Sequence, residues 1–297
     1  MRMKSHKKFT LIVFVVLCCF FLTTCRQKDA SVSSVNDATS NTTSSTQISS
    51  KPSTQTTDKT NTTVVNTTVS TTVNTTLAES TKKIIETAKP VPPEYFDDAV
   101  FVGDSVSQGL RNYVAYAKDT LGIDYFGKAE YLTALDFGSY NALQGNCLPV
   151  YKGEKIPVED NIAQMDVKKV YILLGLNDIY LDTDTVVKNY QEFINLILAK
   201  KPGLDIIIES VTPITRFEES NPNKDNPYLT RANVNALNAA YKKMADKNGY
   251  YFLNVGSAVV DSEGYLPDEY SFDGTCHMRP EALELWINYL RTHIIGS

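Results

Sequence analysis

Phe101-Val102-Gly103-Asp104-Ser105-Val106-Ser107-Gln108-Gly109-Leu110 joins a strand pattern to a helix pattern through a tight turn. The apolar run that ends at Val102 predicts a buried strand, and the apolar residues from Val106 onward follow helical spacing. Ser105 therefore stands at the carboxyl end of a strand and the amino end of a helix. Backbone N–H groups and the helix dipole stabilise negative charge there, as a nucleophilic serine requires. On its own, the Gly-Asp-Ser triplet is weak evidence, and an ordinary capped helix start is then the preferred interpretation.

A second apolar strand ends in the same way, in Ile172-Leu173-Leu174-Gly175-Leu176-Asn177-Asp178. The side-chain amide of Asn177 at such a strand end can direct an N–H group at a developing oxyanion. The alternative is an Asn-Asp turn that caps the following helix. Two polar turns at equivalent strand ends favour a functional site.

The chain contains three histidines. His6 lies in the N-terminal leader, and His293 lies in the last turn of the predicted terminal helix, where a cation suits the helix dipole. His277 lies in a loop before that helix, at the sheet edge that carries Ser105. A nucleophilic serine needs a base within hydrogen-bond reach, and His277 is the histidine that fits.

Together, these motifs resemble the SGNH (GDSL) hydrolase superfamily of esterases and lipases, over a region from about Ala99 to the C-terminus. The resemblance implies a serine acylhydrolase with Ser105 as nucleophile, His277 as general base and Asp273 orienting the histidine. The family spacing is Asp-x-x-His, whereas this chain has Asp-x-x-x-His. Either the loop bulges, or a backbone carbonyl is the partner of His277.

The resemblance also implies an oxyanion hole formed by the N–H of Ser105, the N–H of Gly138 and the amide of Asn177. Gly138 is the best positional match to the family glycine, and a simple turn glycine is the alternative. No cofactor and no metal site are expected, because the sequence has no phosphate-binding glycine loop and no His/Cys cluster with metal spacing.

From residue 93 onward, strand patterns alternate with helix patterns, which predicts a three-layer α/β/α sandwich with a mostly parallel, flavodoxin-like sheet. The predicted strands are Ala99–Val102, Ala129–Ala134, Lys169–Leu174, Asp205–Glu209 and Tyr250–Asn254. The predicted helices are Val106–Ala117, Thr185–Lys200, Thr230–Lys247 and Pro280–Ile295. Residues 150–156 are predicted to form a small hairpin.

The first 25 residues have a positively charged start and an apolar run, as a secretory signal peptide does. They end in Leu22-Thr23-Thr24-Cys25, which resembles a bacterial lipobox with Cys25 as the lipidated residue, although Thr24 departs from the usual small residue. Ordinary secretion and an uncleaved anchor are the alternatives. Residues 26–92 are rich in Ser, Thr and Asn and predict a disordered stalk. The predicted catalytic domain is 93–297.

The net charge of −5 gives no support to nucleic-acid binding, which favours a basic face. We expect a monomer on the extracellular face of a bacterial membrane, acting on a short-chain ester or an O-acetyl carbohydrate. A carbohydrate O-acyltransferase that uses the same site and an inactive surface binding protein are the alternatives. Several tyrosines could stack on sugars, although ordinary packing is the preferred interpretation: Tyr140, Tyr180, Tyr228, Tyr265 and Tyr270. Cys147 and Cys276 either form a disulfide or remain thiols.

Overall fold

The computed structural model describes residues 82–222 and 226–296. The predicted leader, Cys25 and most of the predicted stalk lie outside these residues. Within them the strands are β1 (Ile84–Glu86), β2 (Ala99–Gly103), β3 (Glu130–Thr133), β4 (Lys169–Leu173), β5 (Asp205–Glu209), β6 (Tyr251–Leu253) and β7 (His293–Ile295).

Five of these strands form one sheet in the order β3-β2-β4-β5-β6, and every neighbouring pair is parallel. Counted along the chain, this is the 2-1-3-4-5 order of flavodoxin-like sheets. The predicted α/β fold class is confirmed. Because all five strands run in one direction, their carboxyl ends lie along a single edge, where sites form in such sheets.

Helices pack on both faces of the sheet. They are α1 (Ser105–Tyr116), α2 (Ser139–Leu143), α3 (Val158–Gln164), α4 (Thr183–Lys200), α5 (Arg216–Ser220), α6 (Arg231–Asn248) and α7 (Pro280–Thr292). On one side α1 packs with α7, and on the other α4 packs with α2, α3 and α6. The short helices α2, α3 and α5 were not predicted, because each is too brief to show a clear apolar period.

The core is centred on β2, which is buried at every residue. The ring of Phe101 stacks on Tyr131 of β3 and Tyr171 of β4, with centroids 5.5 Å and 4.8 Å apart. The three residues are register neighbours, so the stack runs across the sheet. Such aromatic pairs contribute about 0.5–1.5 kcal/mol each beyond their area burial. This rigid layer fixes the strand end that carries Ser105.

The last part of the predicted stalk, residues 82–92, lies within the described residues and contacts the rest of the chain. β1 pairs antiparallel with β7, and further along the Arg291 guanidinium donates to the carbonyl of Val91 at 2.8 Å. The terminal helix accordingly ends at Thr292 rather than Ile295. We call residues 82–91 the N-terminal strap. It lies at the amino ends of the sheet strands, since Lys82 pairs with Asp205 at the start of β5.

Two smaller features complete the fold. The predicted hairpin at residues 150–156 is reduced to a single bridge between Tyr151 and Glu154. In the described part of the chain, no helix has the combination of length and apolar character needed to cross a membrane.

Candidate active site

Ser105 is the first residue of α1 and is partly buried. The Asp104 carboxylate caps the helix by accepting from the N–H of Val106 at 2.9 Å. The turn requires glycine at position 103, because a Cβ there would lie 2.0 Å from the hydroxyl oxygen of Ser107. The sequence Gly-Asp-Ser thus holds the Ser105 hydroxyl at the carboxyl edge of the sheet.

A chain of hydrogen bonds connects Ser105, His277 and Asp273. Nε2 of His277 lies 2.9 Å from Oγ of Ser105, and Nδ1 of His277 lies 2.5 Å from Oδ2 of Asp273. With Nδ1 protonated, His277 donates to Asp273 and accepts from the serine hydroxyl. This arrangement of nucleophile, base and orienting carboxylate is that of a serine hydrolase triad.

The additional residue between Asp273 and His277 is accommodated by a bulged loop. Oδ1 of Asp273 accepts from the Ser271 hydroxyl at 2.9 Å and from the N–H of Thr275 at 2.8 Å. The loop is also tied to the segment after β5, where the N–H of Thr215 donates to the carbonyl of Thr275 at 2.9 Å. Of the two partners that the sequence left open for His277, the structure has the Asp273 carboxylate.

The electrostatics of the pair match its geometry. Burial lowers the pKa of His277, but the hydrogen bond with Asp273 and the charges of Asp273 and Asp104 outweigh it, so the pKa lies above its usual value. Burial raises the pKa of Asp273, but the hydrogen bonds from His277 and Thr275 outweigh it and hold the pKa below its usual range. Asp273 is therefore ionised at neutral pH and favours a protonated His277.

Asp104 contributes a third titratable group. It is fully buried, and its Oδ2 has no hydrogen-bond partner in the described part of the chain. Burial raises its pKa to about 6, against the lowering effect of the Val106 and Ser107 N–H groups.

The predicted oxyanion-hole residues lie on the loops that flank β2. Gly138 follows β3, Asn177 follows β4, and the amide of Asn177 donates to the carbonyl of Phe137 at 3.1 Å. Within residues 82–222 and 226–296, the N–H groups of Ser105 and Gly138 donate to no protein acceptor. Both backbone N–H groups, and the second N–H of the Asn177 amide, can therefore donate to a bound ligand.

Sequence reasoning missed Asp178, which is 1% exposed and accepts hydrogen bonds from Ser139 and Tyr140. Burial raises its pKa, and the hydrogen bonds from Ser139 and Tyr140 oppose that rise. Its place in the Gly-x-Asn-Asp block was visible, but its contact lies 39 residues away. Phe272 was also missed; its ring centroid lies 5.6 Å from that of His277.

The five tyrosines differ in exposure, and Tyr270 is half-buried. Tyr140, Tyr180 and Tyr228 are 41%, 48% and 52% exposed, whereas Tyr265 is buried. Cys147 and Cys276 do not form a disulfide with each other. Burial raises the pKa of the Cys276 thiol to about 12, so it is not a thiolate beside His277.

Comparison with known proteins agrees with this geometry. The sequence model of the GDSL-like lipase/acylhydrolase family matches residues 101–285, which is more than half of the chain. The chain belongs to this family. It is therefore a hydrolase of the acylhydrolase class, and the matched region runs from β2 into α7 and includes Ser105, Gly138, Asn177, Asp273 and His277.

Solved structures similar to this GDSL-like chain include other esterases. A GDSL-like lipase from Bacteroides thetaiotaomicron is 21% identical with a TM-score of 0.47, and the match covers 68% of this chain and 88% of that one. An acetyl xylan esterase is 16% identical with a TM-score of 0.47, covering 64% and 96%. A lipase/acylhydrolase from Enterococcus faecalis is 16% identical with a TM-score of 0.45, covering 64% and 92%. A comparison with curated protein sequences gave no match.

Proposed function

We propose that this chain is an extracellular serine esterase that hydrolyses short-chain acyl esters, including O-acetyl esters of carbohydrates. The observation that carries the proposal is the hydrogen-bond chain Ser105–His277–Asp273. Among the described residues, the backbone N–H groups of Ser105 and Gly138 donate to no protein acceptor. Nucleophile, base and oxyanion donors are the parts that acyl transfer to water requires.

The reaction follows from these positions in two stages. Oγ of Ser105 attacks the ester carbonyl carbon while Nε2 of His277 takes the hydroxyl proton. The negatively charged oxygen accepts from the N–H groups of Ser105, Gly138 and Asn177. The bond to the alcohol oxygen then breaks, and His277 delivers its proton to the leaving alcohol. Water attacks the acyl-serine in the same way, with His277 as base, and releases the carboxylic acid.

The inactive-binding-protein alternative loses the one feature that favoured it. That feature was the extra residue before His277, and the bulged loop still places Oδ2 of Asp273 2.5 Å from Nδ1. Nothing in the structure specifically favours acyl transfer to a second sugar over transfer to water.

A carbohydrate ester is supported by exposed aromatic rings on the segments that follow the carboxyl ends of the strands and on the His277 loop. Tyr140 and Tyr180 follow the oxyanion-hole residues, and Phe272 stands beside His277. Phe217 lies against the same loop, 3.4 Å from where a Cβ on Gly274 would be. We call these four side chains the aromatic rim. Half-exposed rings give flat apolar faces, and the two tyrosines add hydroxyl groups, so the rim suits the C–H faces and hydroxyls of a sugar.

Hydrolysis of p-nitrophenyl acetate by the purified protein tests the esterase assignment. Ser105→Ala and His277→Ala should each reduce kcat to near the uncatalysed background, a loss of roughly 10⁶-fold. Ser257→Ala and His293→Gln are matched controls outside the site and should retain activity. Fluorophosphonate should label wild type but not Ser105→Ala. Full activity in Ser105→Ala, or a folded wild type that cleaves no ester, would overturn the assignment.

The extracellular, lipid-anchored location rests on the N-terminal sequence alone. Cys25 in its lipobox-like context is the proposed lipid attachment site, and ordinary secretion and an uncleaved anchor are the alternatives. Cys25→Ala should move the protein from the membrane fraction to the medium when the full chain is expressed in a bacterium. Equal membrane association of wild type and Cys25→Ala would reject lipidation at this residue.

A further inference from the structure

Asp178 is a buried carboxylate at the carboxyl edge of the sheet that the reaction above does not use. It is 1% exposed and follows Asn177 directly. Its Oδ2 accepts from the N–H and the hydroxyl of Ser139 at 2.7 Å and 2.8 Å. Its Oδ1 accepts from the N–H of Tyr140 at 3.3 Å.

These bonds hold the segment that carries Gly138. The backbone of Gly138 lies so close to Asp178 that a Cβ would stand 2.5 Å from Oδ1. From the other side, the amide of Asn177 donates to the carbonyl of Phe137 at 3.1 Å. The side chains of residues 177 and 178 thus bind the backbone of residues 137–140 at one carbonyl and two N–H groups.

We propose that Asp178 is a positioning residue, which holds the 137–140 segment so that the N–H of Gly138 points toward the ester oxygen beside Ser105. This inference rests on the proposed function, in which Gly138 and Asn177 stabilise the oxyanion. Donors that are already oriented act on the transition state without a cost of reorganisation at the moment of reaction. A loose segment would let Gly138 turn away.

The chemistry requires a carboxylate rather than an amide. A carboxylate has acceptors on both oxygens and receives all three donors of Ser139 and Tyr140. Asparagine has nearly the same shape, but its NH₂ group would face one of those N–H groups. With asparagine at position 178, two N–H donors would face each other in a buried position without an acceptor, which is costly.

Asp178→Asn therefore tests positioning with little change of volume. We expect kcat for p-nitrophenyl acetate to fall about 10- to 10³-fold, with KM within about threefold of wild type. The rate is divided by the number of active sites, which is measured as the amount of fluorophosphonate bound when labelling is complete. A variant that yields less folded protein is thereby not scored as less active. Asp182→Asn, a matched change at the exposed N-cap of α4, should leave kcat and KM unchanged.

A second variant keeps the inference testable if Asp178→Asn does not fold. Gly138→Ala retains the backbone N–H but places a methyl group against the Asp178 carboxylate, so it should displace the same segment and give the same loss in kcat. A kcat per labelled site within twofold of wild type, in whichever of the two variants folds, would overturn the positioning role. A wild type without esterase activity would instead overturn the proposed function, and the inference with it.

Discussion

At the scale of single residues, the pair formed by Asp273 and His277 sets the pH range of the reaction. Only neutral His277 can take the proton of Ser105. The pKa of His277 lies above its usual value of 6.5 because the hydrogen bond and charge of Asp273 outweigh the effect of burial. The rate should therefore rise with pH through a midpoint above about 6.5.

Asp273→Asn should change both the midpoint and the height of this profile. Loss of the carboxylate removes the largest effect that raises the pKa of His277, so the acid limb should move to lower pH. The plateau of kcat/KM should fall roughly 10²- to 10⁴-fold, because the imidazole loses its orienting partner. The measurement is kcat/KM for p-nitrophenyl acetate from pH 5 to 9. Asp268→Asn, an exposed carboxylate earlier in the same loop region, is the control, and an unmoved midpoint in Asp273→Asn would contradict the argument.

How far the sequence predicts the site depends on the range of the contacts. Ser105 and His277 could be placed from sequence, since a parallel sheet brings strand ends to one edge and the histidine choice was narrow. The sequence could not decide the partner of His277. The bulge between Asp273 and His277 depends on hydrogen bonds with Ser271 and Thr275 and on the contact with Thr215. The role of Asp178 depends on a segment 39 residues distant.

At the scale of elements, four segments at the carboxyl edge, two of them the short helices α2 and α5, each contribute one member of the aromatic rim. Tyr140 follows β3, Tyr180 follows β4, Phe217 follows β5 and Phe272 precedes α7. They are 41%, 48%, 56% and 50% exposed. Exposed rings on four separate segments of this edge are not accounted for by core packing, and they suit contact with the alcohol portion of an ester bound at Ser105.

Truncating the rim should therefore weaken large substrates selectively. Tyr180→Ala and Phe272→Ala should each raise KM for an acetylated oligosaccharide about two- to tenfold, the value of one aromatic contact. Their kcat/KM for ethyl acetate, which does not reach the rim, should stay near that of wild type. Leu196→Ala removes an exposed apolar side chain from α4 as a control. An equal loss of kcat/KM for both substrates would mean that the rings maintain the structure of the site and do not bind the sugar.

The N-terminal strap marks the limit of element prediction from this sequence. The central strands could be assigned because their apolar runs are local signals. By contrast, β1 exists because it pairs with β7, and this partner is roughly 200 residues away along the chain. Proline and lysine around residue 90 are typical of linkers, and no local pattern reveals that their backbone is bound by Arg291.

At the scale of the whole molecule, the strap and the site lie at opposite ends of the sheet. The described chain enters along the amino ends of the strands, where Lys82 pairs with Asp205, and Ser105 stands at the carboxyl ends. At the carboxyl end of β5, beneath α7, lies a buried carboxyl group. Glu209 is 2% exposed and accepts from the indole N–H of Trp286 at 2.9 Å.

This buried acid should make folding stability fall with rising pH. Burial raises the pKa of Glu209 to about 8, against a partial lowering by the Trp286 hydrogen bond, whereas its unperturbed pKa is 4.5. Between these values the folded protein keeps a proton that the unfolded chain has lost. The free energy of unfolding then decreases by up to about 1.4 kcal/mol per pH unit. Below about pH 4.5 both states are protonated and the effect ends.

Glu209→Gln cannot ionise and still offers an oxygen to Trp286, so its stability should fall less steeply with pH than that of wild type. Urea unfolding at pH 5, 6.5 and 8, followed by the fluorescence of the single tryptophan, measures the two slopes. His277 also has a raised pKa and changes stability in the same direction, but it is present in both proteins and cancels in the comparison. Glu192→Gln, on the exposed side of α4, should keep the wild-type slope. Parallel slopes for wild type and Glu209→Gln would mean that Glu209 is ionised within the fold, with water or a rearranged neighbour replacing the lost solvation.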